Sequence, residues 1–383
     1  MRILHSADWH LGKMFYGEYL TEEQAYVLTE QFLPMLKEEN VDAVVLAGDV
    51  YDRSLPPAGA VELFDEIATK VTAELGVPFF VISGNHDSAS RLSFGSRLLE
   101  KQNLYIAGEL DKLSGPYILE DTYGPIAFIA APFAEPASVR NHFGDHSIRD
   151  HETALARLLQ QQSRGVEQTV RSVCIAHTFV AGGMGSDSER PLSIGGSDAV
   201  DAALFAPYTY TALGHLHGPQ QAGSPSIRYA GSLLKYSFGE VRQKKGAVLV
   251  DIGKSGLVST TFLPFEPRHD VRIIEGFFDD IMNKDDVRRD DFVLIRLLDT
   301  DPILDGMAKL RKKYPQVLAL ETPNRQSKSG SARSFDLRKS TEQQLFESFA
   351  SAMQPDRPLT EAERACVNGL WRKLLTGEGE GLL

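Results

Sequence analysis

The sequence predicts an α/β protein: a two-sheet core flanked by helices, then a smaller βαβαβ unit, then two amphipathic helices. Three observations carry this. Short apolar runs alternate with helix-periodic stretches through the first half, the runs are too many for one small sheet, and the pattern changes after Pro264–Pro267. Arg2–Ser6 opens as an apolar run. From about Glu22 to Glu39, Ala25, Leu28, Phe32 and Leu36 form one apolar stripe, which predicts a helix. Ala43–Ala47 (AVVLA) reads as a buried strand, Ala58–Leu75 as a helix and Phe79–Ser83 as a buried strand. Strand, helix, strand, helix, strand in that order reads as parallel sheet with right-handed crossovers. Further strands are expected at Ala127–Ala131, Val173–Ala176, Thr211–Leu213, Ala247–Ile252 and Ser259–Leu263, with a helix near Glu152–Gln162.

Beyond Pro267 the pattern predicts strand Val271–Glu275, helix Asp279–Lys284, strand Phe292–Leu298, helix Pro302–Tyr314 and strand Val317–Leu320. Pro323–Ala332 has linker composition. Thr341–Met353 carries Leu345, Phe346, Phe349 and Met353 on one face. Thr360–Leu375 begins with a capping box, Thr360 and Glu363, and displays Cys366, Val367, Leu370, Trp371, Leu374 and Leu375. This pair has more apolar surface than a short tail buries within itself, which marks a docking site or a segment that folds back onto its own domain. The expected divisions are a core over 1–264, a small domain over 265–322, a basic linker over 323–339 and a helical hairpin over 340–383.

The 383 residues are 42% hydrophobic and 24% charged, which excludes a mainly disordered chain and leaves material for a core. No apolar run approaches the ~18 residues that span a bilayer. The opening MRILHSADWH turns polar after Leu4 and does not read as a signal peptide. Cys174 and Cys366 are far apart with no CxxC pattern, so a reducing cytoplasm is the expected compartment. With 40 basic against 52 acidic residues the net charge is −12, which excludes wrapping of nucleic acid by overall charge. A local exception lies between Lys309 and Lys339, where nine basic residues meet only Glu321 and Asp336. Such a stripe can track phosphates, although a solvated helix end followed by a linker has the same composition.

Five motifs carry chemistry, each at the carboxyl end of an expected strand: Asp8-Trp9-His10; Gly48-Asp49-Val50-Tyr51-Asp52-Arg53; Gly84-Asn85-His86-Asp87; His177; and Gly214-His215-Leu216-His217. In an extended segment residues i and i+2 share a face, so Asp8 with His10, and His215 with His217, can address one point. Strand carboxyl ends are where open α/β sheets hold their sites, so the five segments converge. Oxygen and imidazole donors without thiolate suit Mn, Fe or Zn and disfavour Ca. A lone Asp-x-His is common, and Gly-Asn-His-Asp alone reads as a turn. The whole set in this order is not a chance pattern.

That order resembles the calcineurin-like metallophosphoesterases over residues 8–217. More closely, SADWHLG at 6–12, GDVYDR at 48–53 and GSLLKYSF at 231–238 are similar to the SbcD nuclease family. Ser6-Ala7 replaces the glycine that the wider superfamily has before the aspartate, a feature of the SbcD-like branch. The resemblance spans nearly the whole chain and implies a four-layer αββα metallophosphoesterase sandwich, a capping domain over the βαβαβ unit and a partner-binding helical hairpin. It implies two divalent metal ions, with Mn2+ expected: one held by Asp8, His10, Asp49 and His217, the other by Asp49, Asn85, His177 and His215. Two such ions clamp the attacking and leaving oxygens of an in-line phosphoryl displacement. His86 is then the group that stabilises the phosphorane or protonates the leaving 3′ oxygen, and Asp87 is expected to orient His86.

Lys13, Tyr16, Arg53 and Arg91 lie in loops beside the motifs and are candidate substrate contacts. The implied activity is a double-strand DNA exonuclease and hairpin-opening endonuclease in repair, recombination and replication. It is gated by ATP in an SbcC-type coiled-coil ATPase, in a heterotetramer, with a homodimer through the nuclease core. This chain has no G-x-x-x-x-G-K-[ST] loop, so ATP belongs to the partner. Two rivals are a small-nucleotide phosphodiesterase on the same core, against which residues 265–383 argue, and a scaffold without catalysis, against which the complete ligand set argues. His5, His142, His146, His151 and His269 match no motif; His5 is expected to be a packed strand residue.

Overall fold

Alternate side chains of a strand face opposite sides, and in this chain both sides are apolar. Val44 and Leu46 of strand Ala43–Ala47 pack outward with Phe32, Phe64 and Ile67 of the covering helices, while Ala43, Val45 and Ala47 pack inward against a second sheet. The computed structural model describes residues 1–167, 169–189 and 199–324, and beyond them 346, 350, 360–365, 367 and 369. The chain divides into two compact units, Met1–Thr322 and Pro323–Leu383.

The first unit holds two six-stranded sheets face to face. One runs in the order Gly256–Pro264, Gly246–Gly253, Arg2–Ser6, Ala43–Ala47, Phe79–Ile82, Leu104–Ala107; its last four strands are parallel. The other runs Gln220–Ala222, Ser224–Tyr229, Tyr210–Gly214, Arg171–His177, Gly124–Ala131, Tyr117–Asp121, with four parallel strands between antiparallel edges. Ile3, Val45, Phe80, Phe128, Val173, Ile175 and Tyr210 fill the space between the sheets. Helical segments from Thr21 to Glu38 and from Ala58 to Glu74 cover the first sheet, and His151–Gln162 covers the second. This is the αββα layering. Each of the two long helical segments contains a π-helical turn, Leu28–Phe32 and Lys70–Glu74. Within these two sheets the strands not expected, Leu104–Ala107, Tyr117–Asp121, Gln220–Ala222 and Ser224–Tyr229, lie at or next to sheet edges, where the apolar run is short or broken.

After Phe265 come three parallel strands, Val271–Gly276, Phe292–Leu297 and Val317–Glu321, linked by helices Phe278–Asn283 and Gly306–Lys313. The unit has its own core of Ile281, Val293, Ile295, Leu297, Leu310, Tyr314 and Val317. Its second helix begins at Gly306 rather than Pro302, because Asp305 sits at φ 54°, which a right-handed helix cannot include. Lys313 donates to the carbonyls of Ile281 (2.8 Å), Met282 (2.9 Å) and Lys284, so it caps the neighbouring helix rather than joining a free basic stripe.

In the second unit the expected capping box is present: Glu363 N–H donates to Thr360 Oγ1 at 3.3 Å, and Glu363 Oε2 accepts from Thr360 N at 2.8 Å. Most of the remaining predicted hairpin, Phe349, Cys366, Leu370 and Trp371 included, and residues 325–339 of the basic linker expected over 323–339 lie outside the described residues.

Candidate active site

The parallel strands of both sheets deliver their carboxyl ends to one edge, and Asp49 stands at its centre. The chain reaches it through Gly48 at φ +89°, where a Cβ would lie 2.3 Å from His177 Nδ1. Gly84, at the end of the next strand, approaches so closely that a Cβ would meet Asp49 Oδ1 at 2.2 Å. Asp8, His10, Asp49 and His215 all have positive φ, at 52°, 46°, 48° and 104°. Four non-glycine residues in that region cost roughly 1–3 kcal/mol each, and surrounding bonds must hold them. Asp8 N donates to Gly48 O (3.1 Å), His10 N to Asp49 O (2.9 Å) and Leu11 N to Val50 O (2.9 Å), which zips the first motif onto the second.

Asp49 Oδ2 lies 3.6 Å from His10 Nε2, 3.5 Å from His177 Nε2 and 4.0 Å from His86 Nε2, while Oδ1 accepts from His86 N at 2.8 Å. His10 Nε2 and His217 Nε2 stand 3.1 Å apart. Asn85 Oδ1 is 2.8 Å from His177 Nε2 and 3.3 Å from His215 Nδ1. Asp8 accepts from His215 N at 2.9 and 3.1 Å and lies 3.8 Å from His177 Nδ1. All seven expected ligands therefore meet in one buried pocket, with Asn85 half-buried. Among the described residues, His10, Asp49 and His86, and likewise Asp8, Asp49 and His177, bring ligand atoms within 4.8 Å of one another.

Burial pushes the Asp8 carboxyl well above its ordinary range, and the charge of Asp49 adds to this. Burial pushes His10 and His215 well down, with neighbouring histidines adding to the shift, and His177 down as well. These are neutral imidazoles crowded against carboxylates. His10 Nδ1 is buried without a hydrogen-bond partner. That nitrogen lies on the Asp52 side of the ring, while Nε2 faces the pocket; the imidazole nitrogens turned toward one another there and the mutually repelling carboxylates are what a divalent cation would satisfy, and the N/O donor set fits one.

The comparisons with known proteins agree with this geometry. Residues 1–219 match the family model of calcineurin-like phosphoesterases, and residues 267–354 match the SbcD_C model, described as the type 5 capsule protein repressor C-terminal domain. The chain is 36% identical to the SbcD component of the SbcCD nuclease of Staphylococcus epidermidis over 99% of this chain and 100% of that one. The chain belongs to the SbcD nuclease family. The corresponding protein of Staphylococcus saprophyticus is 37% identical over 84% of each chain. As a member of the SbcD family with a calcineurin-like core, the chain is a metal-dependent nuclease. Among the described residues no helix is long and apolar enough to cross a membrane.

One expectation is corrected. Asp87 does not touch the His86 ring. Its Oδ2 accepts from Val50 N (3.0 Å) and Gly84 N (2.9 Å), and its Oδ1 from Tyr51 N (2.9 Å), so it ties the loop of Asp49 to that of Asn85. The peptide N–H groups lie within reach of the side chain and the ring does not. Burial, then the charge of Asp49, holds this carboxyl up to about 7. His86 instead turns Nδ1 to Asp52 O at 2.8 Å.

The four candidate substrate contacts are placed unequally. Lys13 is paired with Asp52 Oδ1 at 2.8 Å at the rim of this pocket, and Arg53 lies 3.9 Å from Asp52 Oδ2. Tyr16 is exposed and packs on Phe15 and Phe238. Arg91 lines an apolar groove with Leu55, Phe64 and Phe94 rather than the metal pocket.

Several supporting residues carry no motif signal. Gln24, fully buried, donates through Nε2 to His10 O (2.8 Å) and Trp9 O (3.1 Å) and accepts Gly12 N–H at 3.0 Å. The Tyr236 hydroxyl donates to Trp9 O. His217 N donates to Glu189 Oε1 at 2.8 Å, and Glu240 and Lys245 stand behind the His217 ring. Only Tyr236 falls within a family-like stretch, GSLLKYSF; Glu240 follows it by two residues. Of the remaining histidines, His5 bridges the sheets, His142 pairs with Asp111 at 2.8 Å, His151 stacks on Phe133 and His269 pairs with Glu23 at 2.8 Å.

Proposed function

We propose that the chain hydrolyses DNA phosphodiester bonds with two divalent cations, Mn2+ in the first instance, at the pocket centred on Asp49. Asp8, His10, Asp49 and His217 would hold one ion, and Asp49, Asn85, His177 and His215 the other. The observation that carries this is the meeting of five strand-end motifs, from both sheets, in one buried pocket, where His10, His86 and His177 face Oδ2 of Asp49 and His217 and His215 face His10 and Asn85. Such ions, when bound, polarise a phosphoryl group and activate water. His86 donates from Nδ1–H to the Asp52 carbonyl, which turns Nε2 toward the substrate; in the imidazolium form Nε2–H supplies the proton that the leaving 3′ oxygen takes as its bond to phosphorus breaks, and the ring is left neutral. Asp87 keeps the Asp49 and Asn85 loops at a fixed separation, and His177, with Nδ1 on Ala47 O at 3.0 Å, presents Nε2 inward. Lys13 and Arg53, both beside Asp52, would meet phosphates at the rim.

The proposed organisation is a nuclease core over 1–264, a capping domain over 265–322, a basic linker over 323–339 and a hairpin over 340–383 that binds an SbcC-type coiled-coil ATPase in the cytoplasm. The relatives are named as components of the SbcCD nuclease, which supports that partner. A homodimer through the core is supported by a groove of about 530 Å³ whose rim exposes Leu55, Val61 and Phe94. The deciding experiment offers linear duplex DNA, hairpin DNA and a chromogenic phosphodiester to the purified chain with Mn2+, with and without the ATPase and ATP. DNA cleavage that is abolished by chelation, restored by Mn2+ and absent in Asp49→Ala is expected. Hydrolysis of the small ester with DNA untouched under every condition would refute the nuclease reading in favour of a small-nucleotide phosphodiesterase.

A further inference from the structure

Behind the metal pocket lies a buried ion pair that takes no part in the hydrolysis proposed above. Lys245 Nζ contacts Glu240 Oε2 at 2.5 Å, His217 O at 2.8 Å, Ser232 Oγ at 2.8 Å and Gln243 Oε1 at 2.7 Å. Glu240 is fully buried and also accepts from Tyr236 N at 3.2 Å. Its Oε1 lies 3.2 Å from His217 Nδ1, and Ser188 Oγ lies 2.7 Å from the same nitrogen while bonding to Glu240.

The protons in this cluster can be assigned. A carboxylate beside an ammonium has none to give. Ser188 has one, and its contact with Glu240 uses it. With Ser188 Oγ donating to Glu240 Oε1, the donor for the ring's contacts among the described residues is His217 Nδ1–H, whichever of the two oxygens receives it. The other nitrogen, Nε2, then carries a lone pair and points toward His10 Nε2, 3.1 Å away. His177 and His86 differ, since their Nδ1 atoms meet the backbone carbonyls of Ala47 and Asp52. A carbonyl fixes a tautomer but brings no charge. A carboxylate does both, and raises the basicity of the nitrogen on the far side of the ring.

We propose that Glu240 is a positioning residue for His217, holding its Nδ1 proton so that Nε2 ligates the cation shared with His10, while Lys245 pairs with the carboxylate and pins the His217 backbone. This rests on reading His217 as a metal ligand. It also makes the two ion sites unequal: loss of Glu240 affects the His10–His217 ion and leaves the one at Asn85, His177 and His215 in place.

The test is Mn2+ binding to the full chain, followed by calorimetry and by the electron paramagnetic resonance of the free ion, in the native protein, Glu240→Gln and His217→Ala. The expected result is two ions in the native chain, with one of them weakened by about 10–100-fold in Glu240→Gln and the same one lost in His217→Ala. Both ions retained within about twofold in Glu240→Gln, with one lost in His217→Ala, would overturn this proposal and leave the site as read. Both ions retained in His217→Ala would overturn the ligand assignment and this proposal with it. If Glu240→Gln does not fold, imidazole 15N spectra of the native metal-free chain decide, with His217 assigned by difference from His217→Ala. A protonated Nδ1 and bare Nε2 support the proposal, and the reverse tautomer overturns it.

Discussion

His5 offers a perturbation whose size follows from its surroundings. It lies on strand Arg2–Ser6, fully buried between the sheets, with Nδ1 2.9 Å from the Tyr210 hydroxyl and Nε2 3.2 Å from Leu213 O on the facing sheet. Burial, opposed in part by the Leu213 carbonyl and reinforced by Arg228, holds its pKa at about 3 against an ordinary 6.5. The folded chain therefore keeps this imidazole neutral where the unfolded chain protonates it. A lowered histidine pKa means that the unfolded state binds more protons, so stability is full above about pH 6.5 and falls as pH drops toward 3. Each pH unit in that window removes about 1.36 kcal/mol, so the loss from pH 7.5 to pH 5 is about 2 kcal/mol. His5→Gln retains a donor and an acceptor but cannot titrate. It is expected to cost about 1–3 kcal/mol at neutral pH from imperfect replacement of the two bonds. Urea unfolding of both chains at pH 7.5 and pH 5 gives a difference of differences, in which other titrating groups largely cancel. The gap between native and variant should close by about 2 kcal/mol on acidification. A gap that does not change with pH would refute the argument, since it would mean that His5 binds its proton equally well folded and unfolded.

The other predictions concern the site and the opposite edge of the sandwich. Gly84→Ala should abolish two-ion Mn2+ binding, measured by calorimetry, because the new methyl would sit 2.2 Å from Asp49 Oδ1; normal stoichiometry would show that the two strand ends can separate. His86→Ala should retain Mn2+ yet lose at least about 100-fold in DNA cleavage, the usual size of a general-acid contribution, and full activity would remove it from the mechanism. Asp121 accepts from Arg171 at 2.9 and 2.6 Å and from the N-terminal amine at 3.0 Å, and chiefly the Arg171 bonds hold its carboxyl well below the usual range. That contribution is present above about pH 4 and is lost on acidification, so Asp121→Asn should cost about 1.5–3 kcal/mol at pH 7 and flatten the acid limb of the stability curve; an unchanged urea midpoint would contradict this.

The candidate site residues are legible in the sequence because each proposed ligand sits within a few residues of a strand's carboxyl end, in a motif short enough to be read and matched to a family. His5 likewise reads as a packed residue, since an apolar strand surrounds it. Asp87 misleads for a related reason. Adjacency to His86 suggests a side-chain pair, but a turn at Gly84 sends consecutive side chains in different directions, and the backbone N–H groups of Val50, Tyr51 and Gly84 are nearer. Arg91 misleads similarly: it follows the third motif closely in sequence, yet its short helix turns it into the apolar groove.

Period and punctuation are enough for a two-sheet core flanked by helices, the βαβαβ unit and five motifs at strand ends, because apolar alternation and strand-end motifs are local properties of the chain; the αββα layering and the set of seven donors come from the family resemblance of those motifs. Folding alone decides which atoms stand behind those donors. Glu240, Lys245 and Gln24 gain their meaning from contacts with residues 23, 28 and 14 positions away. His5 gains its own from Tyr210, 205 positions distant. No spacing rule links such pairs. They meet because two sheets close on one apolar layer, and that closure strips water from polar groups, which must then find each other.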